Sequence, residues 1–476
     1  MSSTDPATVP QLIEQMFRQF ATRVAFAEDG TTFAQLEQRV ARMRGRLASF
    51  ELAAGEAVVI AVSTSAEARV LELAVLSGGW VRVAVSTRLH PRELGSLAAD
   101  CSSRLVVCDD GAVDEVRAAL ASATVVGLSD LNGGEPSAAG QESSTAMLIY
   151  TSGSTGPAKG AIVTQHAWVR QTQRALSQLP AIDGNDLVLA VAQLPHFGGS
   201  IALNCATAGA ATQFMDRFDA AEVVRVVREK NVTILPLAAT MLELLVDELG
   251  DERLPSLRAV VYGGSAISPT ALERAVRALP GVLFQFYGLA EALAPLTCLS
   301  PTDHESPALR TSAGRWLPGV DHRFVDGVLE VRGEVVTPGY VNRGGPTLAN
   351  GWFRAGDLAH DHDGHLYVAD RADHVIMSGG YPVQPREVEN VIATLDQVAE
   401  VAVVGTPHER WGQGVTAVVV LRAGASEEGL FDAIVSACRA SLASYKKPVA
   451  LLVVAKLPRN PAGKPNRSAI LELLEN

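Results

Sequence analysis

The sequence predicts an α/β protein. Two wound α/β subdomains and a small β-barrel would form a large N-terminal domain over residues 1–371, and a smaller α+β domain would follow over 372–476. Three observations carry this expectation. Short β-branched apolar runs alternate with helical stretches from residue 57 to residue 286, as in a parallel sheet covered by helices. Over 296–352 the pattern turns to short strands broken by Gly and Pro, which suits a small barrel. After Arg371 the order becomes helix, strand, strand, helix, strand, a different architecture and so a separate unit.

Taken in order, residues 11–50 hold an amphipathic helix, a strand pair at 24–26 and 32–33, and a second helix from Ala34. Strands follow at 57–62, 81–85, 104–108 and 123–126, with helices such as 66–76 and 91–99 between them. The Gly/Ser/Glu-rich segment 133–144 reads as an exposed connection. A second set comprises strands at 187–192, 233–235, 259–262 and 283–286, with helices at 220–230, 241–249 and 269–279. Two wound sheets place ligands beyond the carboxyl ends of their strands. In the C-terminal part, helices are expected at 385–395 and 426–442, and strands at 401–404, 415–421 and 449–454.

Bulk properties narrow the function classes. At 476 residues the chain exceeds a single core, and 47% apolar with 19% charged residues is the balance of a folded protein. A formal net charge of -12 argues against broad binding to nucleic acid or anionic membrane. Five cysteines (Cys101, Cys108, Cys205, Cys298, Cys438) show no metal-ligand spacing and read as reduced thiols. No window approaches the length of about 20 apolar residues that a membrane span needs. With no signal-like N-terminus, the expected location is cytoplasmic.

The chemistry concentrates first in Thr151-Ser152-Gly153-Ser154-Thr155-Gly156-Pro157-Ala158-Lys159-Gly160, which follows the apolar run 146–150. Three glycines let successive N–H groups turn into one concavity, surrounded by four hydroxyls and a lysine, a combination that cradles phosphate. It is not a Walker A loop, because Lys159 follows Gly156-Pro157-Ala158 and precedes Gly160. On composition alone it could equally be an ordinary strand-to-helix connection. The order of residues resembles the phosphate loop of the acyl-adenylate-forming superfamily, which holds acyl-CoA and aryl-CoA synthetases, peptide-synthetase adenylation domains and firefly luciferase. Pro157-Ala158 inverts the usual order of that pair.

Four further stretches resemble the same superfamily in the same order. Tyr262-Gly263-Gly264-Ser265 precedes Gln285 and Tyr287-Gly288-Leu289-Ala290-Glu291, and the resemblance implies that glycines and Tyr287 flank adenine while Glu291, with Thr155, serves Mg2+. Gly351-Trp352-Phe353-Arg354-Ala355-Gly356-Asp357-Leu358 supplies Asp357, a carboxylate able to accept from both ribose hydroxyls. The stretch from Asp370 to Tyr381 would add Arg371 on the ribose, Asp373 as a hinge, and Ser378-Gly379-Gly380 for a thiol arm, with Trp411 in a neighbouring stretch. Leu457-Pro458-Arg459-Asn460-Pro461-Ala462-Gly463-Lys464 carries the implied catalytic lysine, Lys464. Ala290 and Ala355 depart from the family, which has threonine at both places. Removing a hydroxyl from a phosphate without a substitute donor costs on the order of 1–3 kcal/mol.

The resemblance is greatest to acyl-CoA or aryl-CoA ligases. It implies ATP, Mg2+ and coenzyme A as cofactors, an acyl-AMP intermediate, and rotation of a mobile C-terminal domain about Asp373. His196, in Leu194-Pro195-His196-Phe197-Gly198-Gly199, falls where the family places an aromatic or histidine gate. Phe197, Gly198, Ala239, Gly263, Leu289 and Ala292 would line an acyl pocket that is small and apolar, with no acidic residue for an amino group and no arginine for a second carboxylate. An aryl, alicyclic or medium-chain acid is expected. Two alternatives stay open: delivery of the acyl group to a carrier protein, and a nucleotide-binding relative impaired by the two alanines. The oligomeric state, monomer or homodimer, is open as well.

Overall fold

A computed structural model describes residues 6–120, 122–140, 143–151, 159–191, 193–343, 350–379, 381–460 and 464–475. The chain divides into two compact units. The first takes Met1–Ala266, Ala275–Asp321 and Val331–Phe353, and the second takes Ile267–Arg274, His322–Glu330 and Arg354–Asn476.

The first unit opens with the helix Val9–Phe20, whose Thr8 hydroxyl accepts from the Gln11 amide. Its buried side, Leu12, Ile13, Met16, Phe17 and Phe20, follows helical spacing. The helix Phe33–Ala48 starts from a reciprocal cap between Thr32 and Gln35. Six strands come next: β1 (Ala57–Ala61), β2 (Val81–Ala84), β3 (Leu105–Cys108), β4 (Thr124–Gly127), β5 (Thr145–Thr151) and β6 (Lys159–Thr164). They pair in the order β4-β3-β1-β2-β5-β6, parallel as far as β5, and β6 returns antiparallel on β5. Every residue of β1, β2 and β3 is buried, as expected of strands covered on both faces.

The second sheet of this unit uses β7 (Leu187–Ala190), β8 (Ala211–Phe214), β9 (Ile234–Ala238), β10 (Ala259–Gly263), β11 (Leu283–Tyr287), β12 (Thr297–Leu299) and β13 (Arg315–Trp316). From β8 through β7, β9 and β10 to β11 the strands are parallel, and β12 and β13 are added antiparallel. Here the expectation of a small barrel needs correction. Among the described residues no closed barrel forms, because β12 and β13, three and two residues long, complete the open edge of β11 instead.

One cluster breaks the apolar pattern of this core. Glu72, with 0% of its surface exposed, meets two buried arginines. Arg82 Nε donates to Glu72 Oε1 at 2.6 Å, and Arg69 Nη1 lies 3.0 Å from Oε2. Each arginine also reaches a backbone carbonyl beyond β7: Arg82 reaches Leu194 O at 3.1 Å and Arg69 reaches Gly199 O, in the first turn of the following helix, at 3.0 Å.

The second unit holds most of β14 (Asp321–Val325), β15 (Val328–Arg332) and β16 (Phe353–His362) and all of β17 (His365–Arg371), successive neighbours with β16 and β17 antiparallel. A further sheet follows, made of β18 (Ile376–Ser378), β19 (Tyr381–Val383), β20 (Val398–His408), β21 (Gly412–Leu421) and β22 (Ala450–Val453). Its order is β19-β18-β21-β20, with β22 parallel on β21. Ile376, Val388, Ile392, Val403, Val415 and Ile434 form its core. The helix expected from residue 426 begins at Leu430, after Gly429 turns the chain with φ +72. All five cysteines are free and buried, and among the described residues no helix is long and apolar enough to cross a membrane.

Candidate active site

In the first unit, the predicted residues gather at the carboxyl ends of β10 and β11 and around the β5–β6 hairpin. Thr151 pairs with Lys159 across that hairpin. Ser152, Gly153, Ser154, Thr155 and Gly156 lie outside the described residues. Gly263 ends β10 opposite Phe286. A Cβ there would stand 2.4 Å from Phe286 O and 3.4 Å from the Phe197 ring, so only glycine lets the two strand ends and that ring come together. Phe197 in turn meets Phe286 edge-on, with ring centroids 6.3 Å apart. Gly264 and Ser265 continue past the strand end, while Gln285 and Tyr287, two residues apart on β11, share one face and are half-buried.

After Gly288 the chain turns tightly, with Leu289 N–H donating to Ala292 O at 2.8 Å, and this turn presents Glu291. Its carboxylate accepts from the Tyr340 hydroxyl at 2.8 Å, and its backbone carbonyl accepts from Thr337 N–H at 2.7 Å. Lys159 Nζ stands 5.6 Å from the Tyr340 ring centroid. Tyr340 thus links the lysine and the acid named from sequence. No local signal marked it, since it follows Thr337-Pro338-Gly339 and reads as one more turn residue. Half-buried Glu291 suits Mg2+, which keeps most of its shell as water and phosphate oxygen and takes one or two protein carboxylates.

Of the expected acyl-site residues, His196 precedes the helix Phe197–Thr207 and is half-buried, and Gly198 lies buried in its first turn. Ala239 opens the helix after β9, and Ala292 sits in the Glu291 turn; both are fully buried, whereas Leu289 is partly exposed.

The second unit assembles the other group. Asp357 on β16 stands opposite Arg371 on β17. Arg371 Nη1 donates to Ala355 O at 2.8 Å and lies 3.3 Å from Asp357 Oδ1. Gly356, at φ +76, leaves room for this guanidinium, because a Cβ there would stand 2.8 Å from Arg371 Nη2. Lys464 is held by Asn460, whose side chain accepts its N–H at 3.0 Å and whose own N–H donates to Lys464 O at 2.8 Å. The residue keeps an exposed surface. Desolvation still lowers its pKa, with the Asp357 carboxylate pulling it up and Arg371 pushing it down. Lys464, Asp357 and Arg371 therefore feel one another's charge.

Beside them, burial pushes the Asp370 carboxyl up, but His374, the Arg386 and Arg371 N–H groups and the Arg467 charge outweigh it and bring it below the usual range. Asp373 lies in the one-turn helix Ala372–His374 that follows. Ser378 ends β18, buried, and pairs with Gly412. Gly379 N–H donates to Trp411 O at 2.9 Å, and the Trp411 ring stacks on His408 at 4.3 Å. Gly380 lies outside the described residues.

Each unit carries one such group. The first offers glycine-lined strand ends, an amide, a tyrosine and a carboxylate, and the second offers a carboxylate–guanidinium pair beside a lysine. Comparison with known proteins gives the family. The family model described as AMP-binding enzyme matches residues 13–353, and that of the AMP-binding enzyme C-terminal domain matches 387–464. The chain is 32% identical to a 2-succinylbenzoate–CoA ligase of Geobacillus kaustophilus, over 98% of each chain. It is 36% identical to a medium/long-chain fatty acid–CoA ligase of Mycobacterium tuberculosis, over 68% of this chain and only 60% of that protein. The structure of the o-succinylbenzoate CoA synthetase of Bacillus subtilis with its acyl-adenylate intermediate superposes with a TM-score of 0.87, at 28% identity over 96% of this chain and 97% of that one. With both family models matched in order and most of its length inside them, the chain belongs to the AMP-binding enzyme family.

Proposed function

We propose that the protein is an ATP-dependent acid–thiol ligase. It activates an apolar carboxylic acid as acyl-AMP with release of pyrophosphate, then passes the acyl group to coenzyme A. The observation that carries this reading is the group Lys464, Asp357 and Arg371, a lysine set beside a pair suited to ribose. A protein that only bound nucleotide would have no use for that lysine.

In the first half-reaction a carboxylate attacks the α-phosphate, so like charges approach and charge grows on the phosphoryl oxygens. Lys464 opposes that charge as a positioned cation, while Asp357 accepts from the ribose hydroxyls and Arg371 orients it. Gln285, Tyr287 and the glycine strand end hold the base, and Lys159 with the hydroxyl-rich loop holds the pyrophosphate end. Glu291 and Thr155 would hold the Mg2+ that accompanies ATP, which would supply positive charge against the phosphates.

For the second half-reaction we propose two domains, 1–371 and 372–476, with the latter turning about Asp373 to exchange Lys464 for the Ser378–Gly380 segment and Trp411. The acid is aryl, alicyclic or medium-chain, because Phe197, Gly198, Ala239, Gly263, Leu289 and Ala292 offer no charge to a second polar group. His196 gates that pocket. The enzyme works in the cytoplasm on small molecules.

The test is pyrophosphate release from ATP over a panel of carboxylic acids, with and without coenzyme A, for wild type and Lys464→Ala. An apolar acid should trigger release that Lys464→Ala abolishes, and coenzyme A should accelerate turnover. If amino acids or malonate were strongly preferred, the substrate assignment would fall. If the adenylate transferred to a carrier protein but not to coenzyme A, the acceptor would change. Nucleotide binding with no release for any acid would remove the enzyme reading.

A further inference from the structure

Behind the strand ends of β10 and β11 a hydrogen-bond chain reaches Gln285 through two residues, Tyr262 and His304, that none of the steps above uses. His304, 2% exposed in the short helix Pro301–Glu305, places Nδ1 at 2.7 Å from Ser300 O. Its Nε2 lies 2.8 Å from the hydroxyl of Tyr262, which is 0% exposed. That hydroxyl lies 3.1 Å from the Gln285 amide, at the terminal atom placed as Oε1. Tyr262 and Gln285 are direct partners in the β10–β11 register.

Proton accounting fixes the direction of this chain. A carbonyl oxygen only accepts, so Nδ1 of His304 carries a proton. Burial keeps the imidazole neutral, with its pKa pushed down to about 4, so Nε2 is a bare lone pair. The Tyr262 hydroxyl must then donate its single proton to Nε2, and toward Gln285 its oxygen can only accept. With Oε1 toward Tyr262, two acceptors would face each other. The amide therefore turns Nε2 to Tyr262 and Oε1 away.

We propose that His304, acting through Tyr262, sets the orientation of the Gln285 amide, so that the strand end offers an outward acceptor that pairs with the 6-amino group of adenine and opposes the 6-oxo group of guanine. His304 and Tyr262 are positioning residues, and Gln285 is the group that meets the base. This rests on the nucleotide site of the proposed function and adds the origin of its base selectivity.

The test is equilibrium binding of AMP and of GMP to the full chain, which needs neither acid nor thiol, with thermal melting of each variant as a folding check. Wild type should prefer AMP. His304→Phe and Tyr262→Phe, which free the amide to turn over, should each lose about tenfold or more of that preference, as expected when a buried polar partner no longer penalises the wrong group. His304→Gln, whose amide oxygen can still accept from Tyr262, should retain it. If wild type prefers AMP and both folded phenylalanine variants keep the full preference, the relay is overturned while the enzyme reading stands. If wild type binds neither nucleotide, the nucleotide site itself falls, and the relay with it.

Discussion

Glu72 is the side chain whose loss should harm the first unit most, and the reason is charge balance. The cluster sets one carboxylate against two guanidiniums, so it already carries one excess positive charge in a buried place. Burial lowers the Arg69 pKa, with Glu72 opposing and Arg82 adding to the fall, which means that Glu72 is what makes the two cations tolerable. Glu72→Gln keeps shape and volume but leaves two buried cations facing an amide. Breaking a buried pair in this way costs about 3–5 kcal/mol. Arg82→Met removes a cation and leaves Arg69 and Glu72 as a neutral pair, so its cost should be smaller, about 1–3 kcal/mol, because the Leu194 carbonyl is left without its donor and the packing is imperfect. The order Glu72→Gln above Arg82→Met is the prediction, and urea unfolding of both variants and wild type reads it. If Arg82→Met proves the more damaging, the cluster works through its hydrogen bonds and not its charge, and the argument fails.

Three other outcomes follow from the sites. Lys464 must be protonated to act, and desolvation holds its pKa below the ordinary lysine value, so pyrophosphate release should fall as pH rises through that lowered pKa. Lys464→Arg, charged at all working pH, should move the basic limb upward if it retains activity, and superimposable profiles would count against the assigned role. Gly263→Ala should cost about 1–3 kcal/mol in stability, because its methyl would meet Phe286 O at 2.4 Å, and the approach to the Phe197 ring should make the KM for the acid rise; melting and steady-state kinetics would read both. Tyr340→Phe strips Glu291 of a hydroxyl donor and should raise the half-saturating Mg2+ concentration about tenfold or more, as loss of an orienting partner does, with the KM for the acid nearly unchanged.

What could be read from sequence was whatever is encoded locally. The β-branched runs of β1 to β4 fell where they were expected, because strand propensity and burial on both faces act within a few residues. The strand pair expected at 24–26 and 32–33 is reduced to a single antiparallel bridge between Val24 and Thr32, because Phe33 already opens a helix. The barrel was not, because whether strands such as β12 and β13 close on themselves or join an existing edge depends on β11, an edge that their own residues do not describe. The site divides along the same line. Asp357 and Arg371 were named as separate ribose contacts, and the structure adds that they face each other across a hairpin, a register that one residue of slip would break.

Tyr340, His304 and the Glu72 cluster left no local signal. In the stretch Ala66–Ser77, Arg69 and Glu72 look like the polar residues of an exposed helix side, and only the fold brings Arg82 and the carbonyls of Leu194 and Gly199 to them. That contrast has a physical basis. A residue that touches a ligand is constrained by the ligand's chemistry and recurs in a recognisable string. A residue that holds another in place is constrained only by geometry, through partners tens to more than a hundred positions away, and becomes visible when donors, acceptors and charges are balanced in three dimensions. The imbalance at Glu72 and the single proton of Tyr262 are both results of that balancing, and the unfolding order of the Glu72 variants and the base preference of the His304 variants measure them independently.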